Sequence, residues 1–508
     1  MPLAAYWQTI FHEYGFRDDY AHLREVREEP GKLTRFASTD GRPVYGALLE
    51  KSFAPILTVT DLPWLRLTGV LLITAVGLIL WRQLLRAGWS DVEATAVGLG
   101  ITLLPSSQVI AGWAISWPVA FSMLLAVTGF AAIEAALQRQ GRQRLAIFAI
   151  GCACYLASGL TYQSNTLFAI VPLAALLMMR STHERIPNIL WTAIHLATVF
   201  INLALGLLLM KVLFMLHVFP QSGRMHLEPN PLGKLIWFFS LPLSNALALG
   251  ALRDTYSTGV FWFWSSVAAV VCILGLGFRE DTAGNTGQKM KWLFCLLVLP
   301  FVAHSVSLAA AVRANGYRTL FPLAGLVVVL AAFSIRRLRV AGRISLPAQQ
   351  AALAAAILLA AVCANRNAFS LIAEPQSREW DMVRDAVNRL PVKADARVYI
   401  ITPTLKDRST QRVFADEFGS LSSNSDWVPK EMFKTAVRDR FSGHPPAGYT
   451  LAFGPDAPNP TAYDVVIDLR KLKDRHTSAA VPAAGVHMAL NSLPTIRNPL
   501  RHAARTHP

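Results

Sequence analysis

Charge is what this sequence has least of. Only 16% of its 508 residues are Asp, Glu, Lys or Arg, where a soluble domain carries about 25%. Over a chain this long, that deficit excludes a disordered protein and an ordinary soluble enzyme. Acids are the scarcer sign, 32 against 48 bases for a net charge of +16. No Lys/Arg run is interleaved with aromatics, so nucleic acid is set aside as a partner. In a membrane protein such a surplus belongs to cytoplasmic loops and contact with anionic lipid. Cysteine is also sparse. All five (Cys152, Cys154, Cys272, Cys295 and Cys363) lie in apolar stretches and none is spaced CxxC, so they read as small buried hydrophobes. None follows Cys363, and the polar C-terminal region therefore has no disulfides even in an oxidising compartment.

What is abundant is apolar length: 53% of residues are hydrophobic and the mean hydropathy is +0.38. A spanning helix needs about 20 predominantly apolar residues. That ruler gives ten candidates: 62–81, 92–110, 117–137, 145–162, 164–180, 189–215, 258–278, 292–312, 318–335 and 348–369. The fourth and fifth are separated only by Thr161-Tyr162-Gln163-Ser164-Asn165, a tight hairpin or one broken unit. The aromatic stretch Leu235-Ile236-Trp237-Phe238-Phe239, stopped by Pro242, suits an interfacial or re-entrant helix.

Orientation follows from the basic residues. One alternating set of loops holds Arg82, Arg86, Arg139, Arg142, Arg144, Arg180, Arg185, Arg279, Lys289, Lys291, Arg336, Arg337, Arg339 and Arg343. The opposite set holds only Arg224, Lys234, Arg253, Arg313 and Arg318. The first set is read as cytoplasmic. Residues 1–61, the loop 216–257, the turn 313–317 and everything beyond 370 then share the outer side. The N-terminus would start outside with nothing ahead of it to carry it across. The expectation is that the true start lies upstream and that a first helix is missing.

The fold expected is an all-α polytopic membrane protein of about ten helices with a small C-terminal α/β extramembrane domain. Residues 1–61 form an outer N-terminal loop region and 62–370 the transmembrane domain. Residues 371–478 form the α/β domain, and 479–508, rich in Pro, Ala and His, a disordered tail. In the third unit, Trp380–Leu390 and Lys430–Arg440 read as helices, Arg397–Ile401 and Tyr463–Asp468 as buried strands.

No predicted span carries a midplane carboxylate. Ion-coupled transporters place such groups between repeated bundles, and no internal repeat is present either, so that class is disfavoured. The outer face instead gathers acids and bases. Phe16-Arg17-Asp18-Asp19-Tyr20-Ala21-His22 is followed by Thr39-Asp40-Gly41-Arg42-Pro43-Val44-Tyr45. Of two adjacent carboxylates, one can take a proton from an acceptor hydroxyl while the other bonds to it or helps hold a cation. Their mutual repulsion raises one pKa, which suits a base. A solvated Asp-Asp at a helix cap and a tight Asp-Gly turn are the plainer readings. Arg224, His226 and Lys234 lie in the long outer loop, and Arg313 and Tyr317-Arg318 at the outer ends of two successive helices. Arginines there are good ligands for a phosphate, and generic headgroup contact is their plainer role. His195, Asn202, Lys211, His217 and His304 read as helix–helix hydrogen-bonding or snorkelling groups. Tyr162 and Gln163 could line a sugar site.

Four features in order carry a resemblance: Arg17-Asp18-Asp19-Tyr20 in a first outer loop, Asp40-Gly41-Arg42-Pro43, about ten hydrophobic helices, and Gly316-Tyr317-Arg318 opening a late helix with Pro322. Together with Asp416-Glu417-Phe418-Gly419-Ser420-Leu-Ser-Ser423 and Trp427, the chain resembles the GT-C superfamily of membrane glycosyltransferases. Within it, the likeness is to bacterial glucosyltransferases that decorate O-antigen and other surface polysaccharides. The resemblance implies a polyprenyl-phosphate-linked sugar donor, a hexose such as glucose. It also implies a polysaccharide or lipid-linked acceptor and inverting transfer at the outer face of the bacterial inner membrane. Asp18 would be the general base with Asp19 its partner, and Arg318, with Arg313, would hold the donor phosphate. Tyr317, Arg42, Arg224 and His226 complete the candidate substrate-binding set. No cofactor is singled out, and a divalent cation stays open, since an Asp-Asp pair fits metal-dependent and metal-free versions equally. The competing readings are a lipid-linked sugar flippase and a polysaccharide polymerase or ligase.

Overall fold

The computed structural model describes residues 1–253, 259–313, 316–390, 396–404, 414, 417–441 and 449–472. The expected disordered tail and Asp416 lie outside them. Residues 1–472 form one compact unit. Four helices precede the first long one: α1 (Pro2–Phe11), α2 (Asp18–Glu28), α3 (Lys32–Thr39) and α4 (Pro43–Phe53). The bundle follows: α5 (Leu62–Arg86), α6 (Asp91–Leu103), α7 (Pro105–Gly112), α8 (Trp117–Leu137), α9 (Gly141–Thr166), α10 (Ile170–Met179) and α11 (Arg185–Met215). Next come α12 (Pro231–Phe238), α13 (Ser244–Leu247), α14 (Gly259–Thr282), α15 (Thr286–Leu293), α16 (Leu299–Ala303), α17 (Ser305–Ala309), α18 (Phe321–Val340) and α19 (Leu346–Ala368). The C-terminal part holds α20 (Glu374–Asn388), β1 (Ala396–Ile401), α21 (Val428–Arg440), β2 (Tyr449–Gly454) and β3 (Val465–Asp468).

Among the described residues, seven helical stretches are long and apolar enough to cross a membrane, or eight if the pair α6 and α7, bent by 50°, is one span. The difference from ten has local causes. The two stretches around residue 162 join as one helix by hydrogen bonding, yet Tyr162 has φ −156° and ψ 97°. Ser158 Oγ and Thr166 Oγ1 are 2.9 Å apart, where a straight helix would hold them about 12 Å apart, so the chain reverses there. The stretch expected over 292–312 is broken into α15, a π turn at Phe294–Val298, α16 and α17. Pro300 supplies no amide to the turn before it, and the wider π turn absorbs the lost bond. The same device recurs at Phe239–Leu243, around Pro242, and at Phe369–Ala373, just ahead of Pro375. At the last of these the helix does not stop. α19 runs on through the π turn into α20 as a 43-residue rod, roughly 65 Å long at 1.5 Å per residue.

One end of the bundle is tied by ion pairs among the predicted cytoplasmic loops. Arg336 meets Glu93 at 2.6 Å, Gln349 donates to the same carboxylate, and Arg337 pairs with Asp281, which also accepts from Trp292. Farther inside, Glu134 accepts from Trp191 Nε1 at 2.7 Å and sits 3.1 Å from His195 Nε2. This partnership accounts for a histidine on an apolar helix.

The opposite end carries a layer in which the N-terminal and C-terminal regions are not separate. Tyr14, Phe16, Tyr20 and Leu23 share one buried core with Trp380, Val383, Met432 and Phe433. Tyr20 stacks on Trp380 with 5.5 Å between ring centroids. Arg24 pairs with Glu431 at 2.7 Å, and Thr435 Oγ1 donates to the Tyr20 carbonyl. The sheet is parallel, in the order β2-β1-β3, with Val398 opposite both Leu451 and Val465. β2, half-buried and bracketed by Pro and Gly, is the strand the sequence pattern does not reveal.

Residues 2–11, expected in an outer loop region, instead form α1, which packs into the bundle. Tyr6 is fully buried and donates to the Thr102 carbonyl at 2.9 Å, and Asn365 donates to the Ala5 carbonyl. The end of α1 is capped by Arg66 of α5. Its guanidinium, fully buried, donates to the carbonyls of Ile10, His12 and Tyr14 at 3.0, 2.6 and 2.9 Å. One cation at the negative end of the helix thus satisfies a last-turn carbonyl, that of the C-cap residue and one just beyond it.

Candidate active site

The site is assembled where the layer built from the N-terminal and C-terminal regions meets the mouth of the bundle. α2 begins at Asp18, immediately after Arg17, whose φ of +47° is left-handed. A non-glycine residue there costs roughly 1–2 kcal/mol, and the surroundings hold it. The Arg17 amide donates to Ser422 Oγ at 2.9 Å and its guanidinium to Ser420 Oγ at 2.9 Å. Asp18 then lies half-buried, and among the described residues its carboxylate has no hydrogen-bond partner.

Asp19 is occupied differently. It is fully buried; Oδ2 accepts the Phe16 amide at 2.9 Å and Oδ1 the Ile115 amide at 3.2 Å. Burial pushes its carboxyl up to about 7, with the neighbouring Asp18 charge adding to the effect. Ile115 is held from its other side by Tyr45, whose hydroxyl donates to the Ile115 carbonyl at 3.0 Å. Asp19 and Tyr45 thus lock α2 and α4 onto the turn 114–116. The expected pair therefore divides into a carboxylate tied to backbone and one that is not, and the two do not open together onto a common cation position. Among the described residues no three His, Cys, Asp or Glu side chains group as a metal-ligand set.

Arg318 arrives from the other end of the chain. Its guanidinium lies over the Trp113 ring, 4.5 Å from the centroid, a cation–π arrangement. Its Nε is 3.8 Å from Glu417 Oε1. Burial works against its charge, and the oxygens of Tyr162, Glu417, Tyr45 and Asp18 outweigh that, holding its pKa above the ordinary arginine value. Asp18 and Arg318, 300 positions apart, are thus near enough for the carboxylate charge to favour the guanidinium. Arg42 completes the rim: its guanidinium stacks over the Tyr162 ring at 4.5 Å, and Gln163 Nε2 donates to the Gly41 carbonyl at 2.6 Å. Gly41 needs its lack of a side chain, since φ is +74° and a Cβ would come 3.1 Å from both Gln163 and Met225.

The remaining candidates are apart from this rim or turned from it. Tyr317 is buried against Phe418 and contributes backbone, its amide donating to Glu417 Oε2 and its carbonyl accepting from Ser106. Arg313 pairs with Glu228 at 3.4 Å, beside Lys234, whose ammonium donates to the carbonyls of Ala310 and Val312. Arg224 pairs with Asp40 at 2.9 Å and Ser222 bonds the same carboxylate. Exposed His226 lends its carbonyl to the Ala311 amide. The loop 222–230 is thereby stitched to residues 39–40 on one side and 309–311 on the other. Residues without an assigned role in the sequence reading, Trp113, Tyr45 and Glu417, prove central. The signal for Glu417 was its place in a Glu-Phe-Gly-Ser string within the resemblance.

Within the bundle, an apolar cavity of about 390 Å³ lies among α13, α14, α18 and the broken stretch from α15 to α16, lined by Leu247, Leu274, Phe278, Cys295, Leu323 and Val327.

No family model matches this chain, and no curated protein matches it. Among solved structures, the crystal structure of ArnT from Cupriavidus metallidurans in the apo state is similar with a TM-score of 0.38 and 10% identity, over 88% of this chain and 87% of that one. That overlap is too loose to carry an activity from one chain to the other.

Proposed function

We propose that this protein is an integral-membrane glycosyltransferase of GT-C type that moves a hexose from a polyprenyl-phosphate donor to a cell-surface glycan acceptor, at the outer face of a bacterial inner membrane. The observation that supports the reading is the gathering of Asp18, Arg42, Tyr162 and Arg318 around buried Tyr45, close enough for their charges to interact, with the Arg318 guanidinium held over Trp113. Asp18 takes the proton of the acceptor hydroxyl as that oxygen attacks the anomeric carbon. The bond from that carbon to the phosphate oxygen breaks on the opposite face, inverting the configuration. The leaving phosphate is a weak base and needs charge stabilisation more than a proton, which Arg318 supplies. Trp113 keeps the guanidinium planar to the site, and Arg42 and Tyr162 bound the space for the sugar. The isoprenoid tail stays in apolar surroundings among the membrane-spanning helices.

The test is to incubate membranes with a panel of labelled polyprenyl-phosphate sugars, with and without chelator, and follow label into surface polysaccharide. Wild-type membranes transfer label from one donor, and Asp18→Asn abolishes transfer while expression and insertion stay normal. Transfer at the wild-type level by that variant removes Asp18 from the mechanism. Label that crosses the bilayer without becoming covalently attached supports a flippase instead.

A further inference from the structure

Both reacting groups are held by one short stretch of the C-terminal region. Glu417 is fully buried; Oε2 accepts the Tyr317 amide at 3.1 Å, and Oε1 lies 3.8 Å from Arg318 Nε. Gly316 makes this approach feasible, because a Cβ there would stand 2.5 Å from Glu417 Oε1. Five residues later, Ser422 Oγ accepts the amide of left-handed Arg17, which sets the first turn of α2 and so the direction of Asp18. Ser422 is itself fixed from behind. Its hydroxyl donates to Gln376 Oε1 at 2.6 Å, its amide bonds to Gln376 and Glu379, and the Ser423 amide donates to Glu379 Oε1 at 3.1 Å. Gln376 also donates to the Ser420 carbonyl at 2.6 Å. All of these side chains lie on α20, the outer continuation of the rod that leaves the bundle as α19.

We infer that residues 417–423 are a keystone, in which Glu417 is a positioning residue for Arg318 and Ser422 a positioning residue for Asp18, so that the C-terminal region sets the geometry of the transfer site without touching substrate. This rests on the proposed glycosyl transfer for its kinetic consequences. Neither side chain exchanges a proton or an electron pair with the reacting atoms. Each one fixes a backbone amide next to a reacting residue. Because α20 is continuous with α19, the keystone also ties the site to the bundle through one uninterrupted helical stretch.

Two variants separate the roles. Glu417→Gln keeps an acceptor for the Tyr317 amide and removes the charge facing Arg318, so the donor KM rises roughly tenfold or more while kcat moves less than about threefold; Glu417→Asp recovers part of the loss. Ser422→Ala lowers kcat roughly tenfold with donor KM nearly unchanged, since Asp18 acts on the acceptor. KM and kcat changing together in both variants, alongside a common fall in melting temperature, overturns the assignment in favour of a merely structural role. Amide exchange needs no reaction: Glu417→Ala is expected to deprotect Tyr317 but not Arg17, and Ser422→Ala the reverse. Exposure of both amides by either variant, or of neither, refutes the keystone. Selective exposure in a protein that transfers no sugar from any donor sustains the keystone and overturns the functional reading alone.

Discussion

Replacing Asp19 by asparagine should make the protein less stable in acid and more stable at neutral pH. The carboxylate accepts two backbone amides, from Phe16 and Ile115. Asparagine keeps one acceptor oxygen and turns an NH2 toward the other amide, and a buried amide without a partner costs about 1–3 kcal/mol. Against this stands burial, which pushes the Asp19 carboxyl up to about 7. An unfolded aspartate titrates near 3.9. Between those values the folded chain holds a proton that the unfolded chain has lost, so stability falls as pH rises through the window and levels off above it. Three pH units at about 1.4 kcal/mol each make the wild type roughly 4 kcal/mol less stable at pH 8 than at pH 3 from this group. Asparagine does not titrate. The stabilities of wild type and Asp19→Asn should therefore cross between about pH 5 and 6. Thermal unfolding of both proteins in mild detergent across pH 4–8 measures the difference, and contributions common to the two cancel. A variant destabilised by the same amount at every pH would refute the reasoning, because it would mean the carboxylate is ionised throughout and held by its two amides.

Gly316→Ala should lower stability by about 1–3 kcal/mol through overpacking against Glu417, read by the same melting assay. Asp40→Asn loosens a pair whose arginine is 62% exposed, so the melting temperature should hardly move, within about 1 kcal/mol. Amide exchange at Ser222, which donates to the Thr39 carbonyl, should nevertheless quicken. Arg66→Met strips three carbonyls at the end of α1 of their donor. A loss of more than about 3 kcal/mol, visible as poor accumulation and a low melting temperature, is expected.

The spans, the basic end of the bundle and most of the C-terminal elements were legible because each depends on local pattern. Apolar length gave α5, α8, α11, α14 and α19, and α21 and β1 fell within two residues of their expected bounds. The broken stretch over 286–309 was less legible, since Pro300 and the turn at His304 interrupt a run whose hydropathy alone still reads as continuous. α1 escaped because its hydrogen bonds come from Arg66, Asn365 and Thr102, which are remote in sequence. The site divided in the same way. That acids near residue 18 and arginines near 318 share one face followed from the alternation of loops. Which of two adjacent carboxylates is tied to backbone depended on Ile115, and what steers Arg318 depended on Trp113 and Glu417. A linear sequence does not show such partners.

The most direct measurement is photolabelling with a polyprenyl phosphate that carries a diazirine beside the phosphate. If that headgroup sits between Asp18 and Arg318, adducts should fall on peptides containing Tyr45, Trp113, Tyr162 and Arg318, and unlabelled polyprenyl phosphate should compete them away. Adducts confined to the opposite end of the bundle, around Trp89, Lys291 and Arg336, would contradict the assignment of this rim as the donor site.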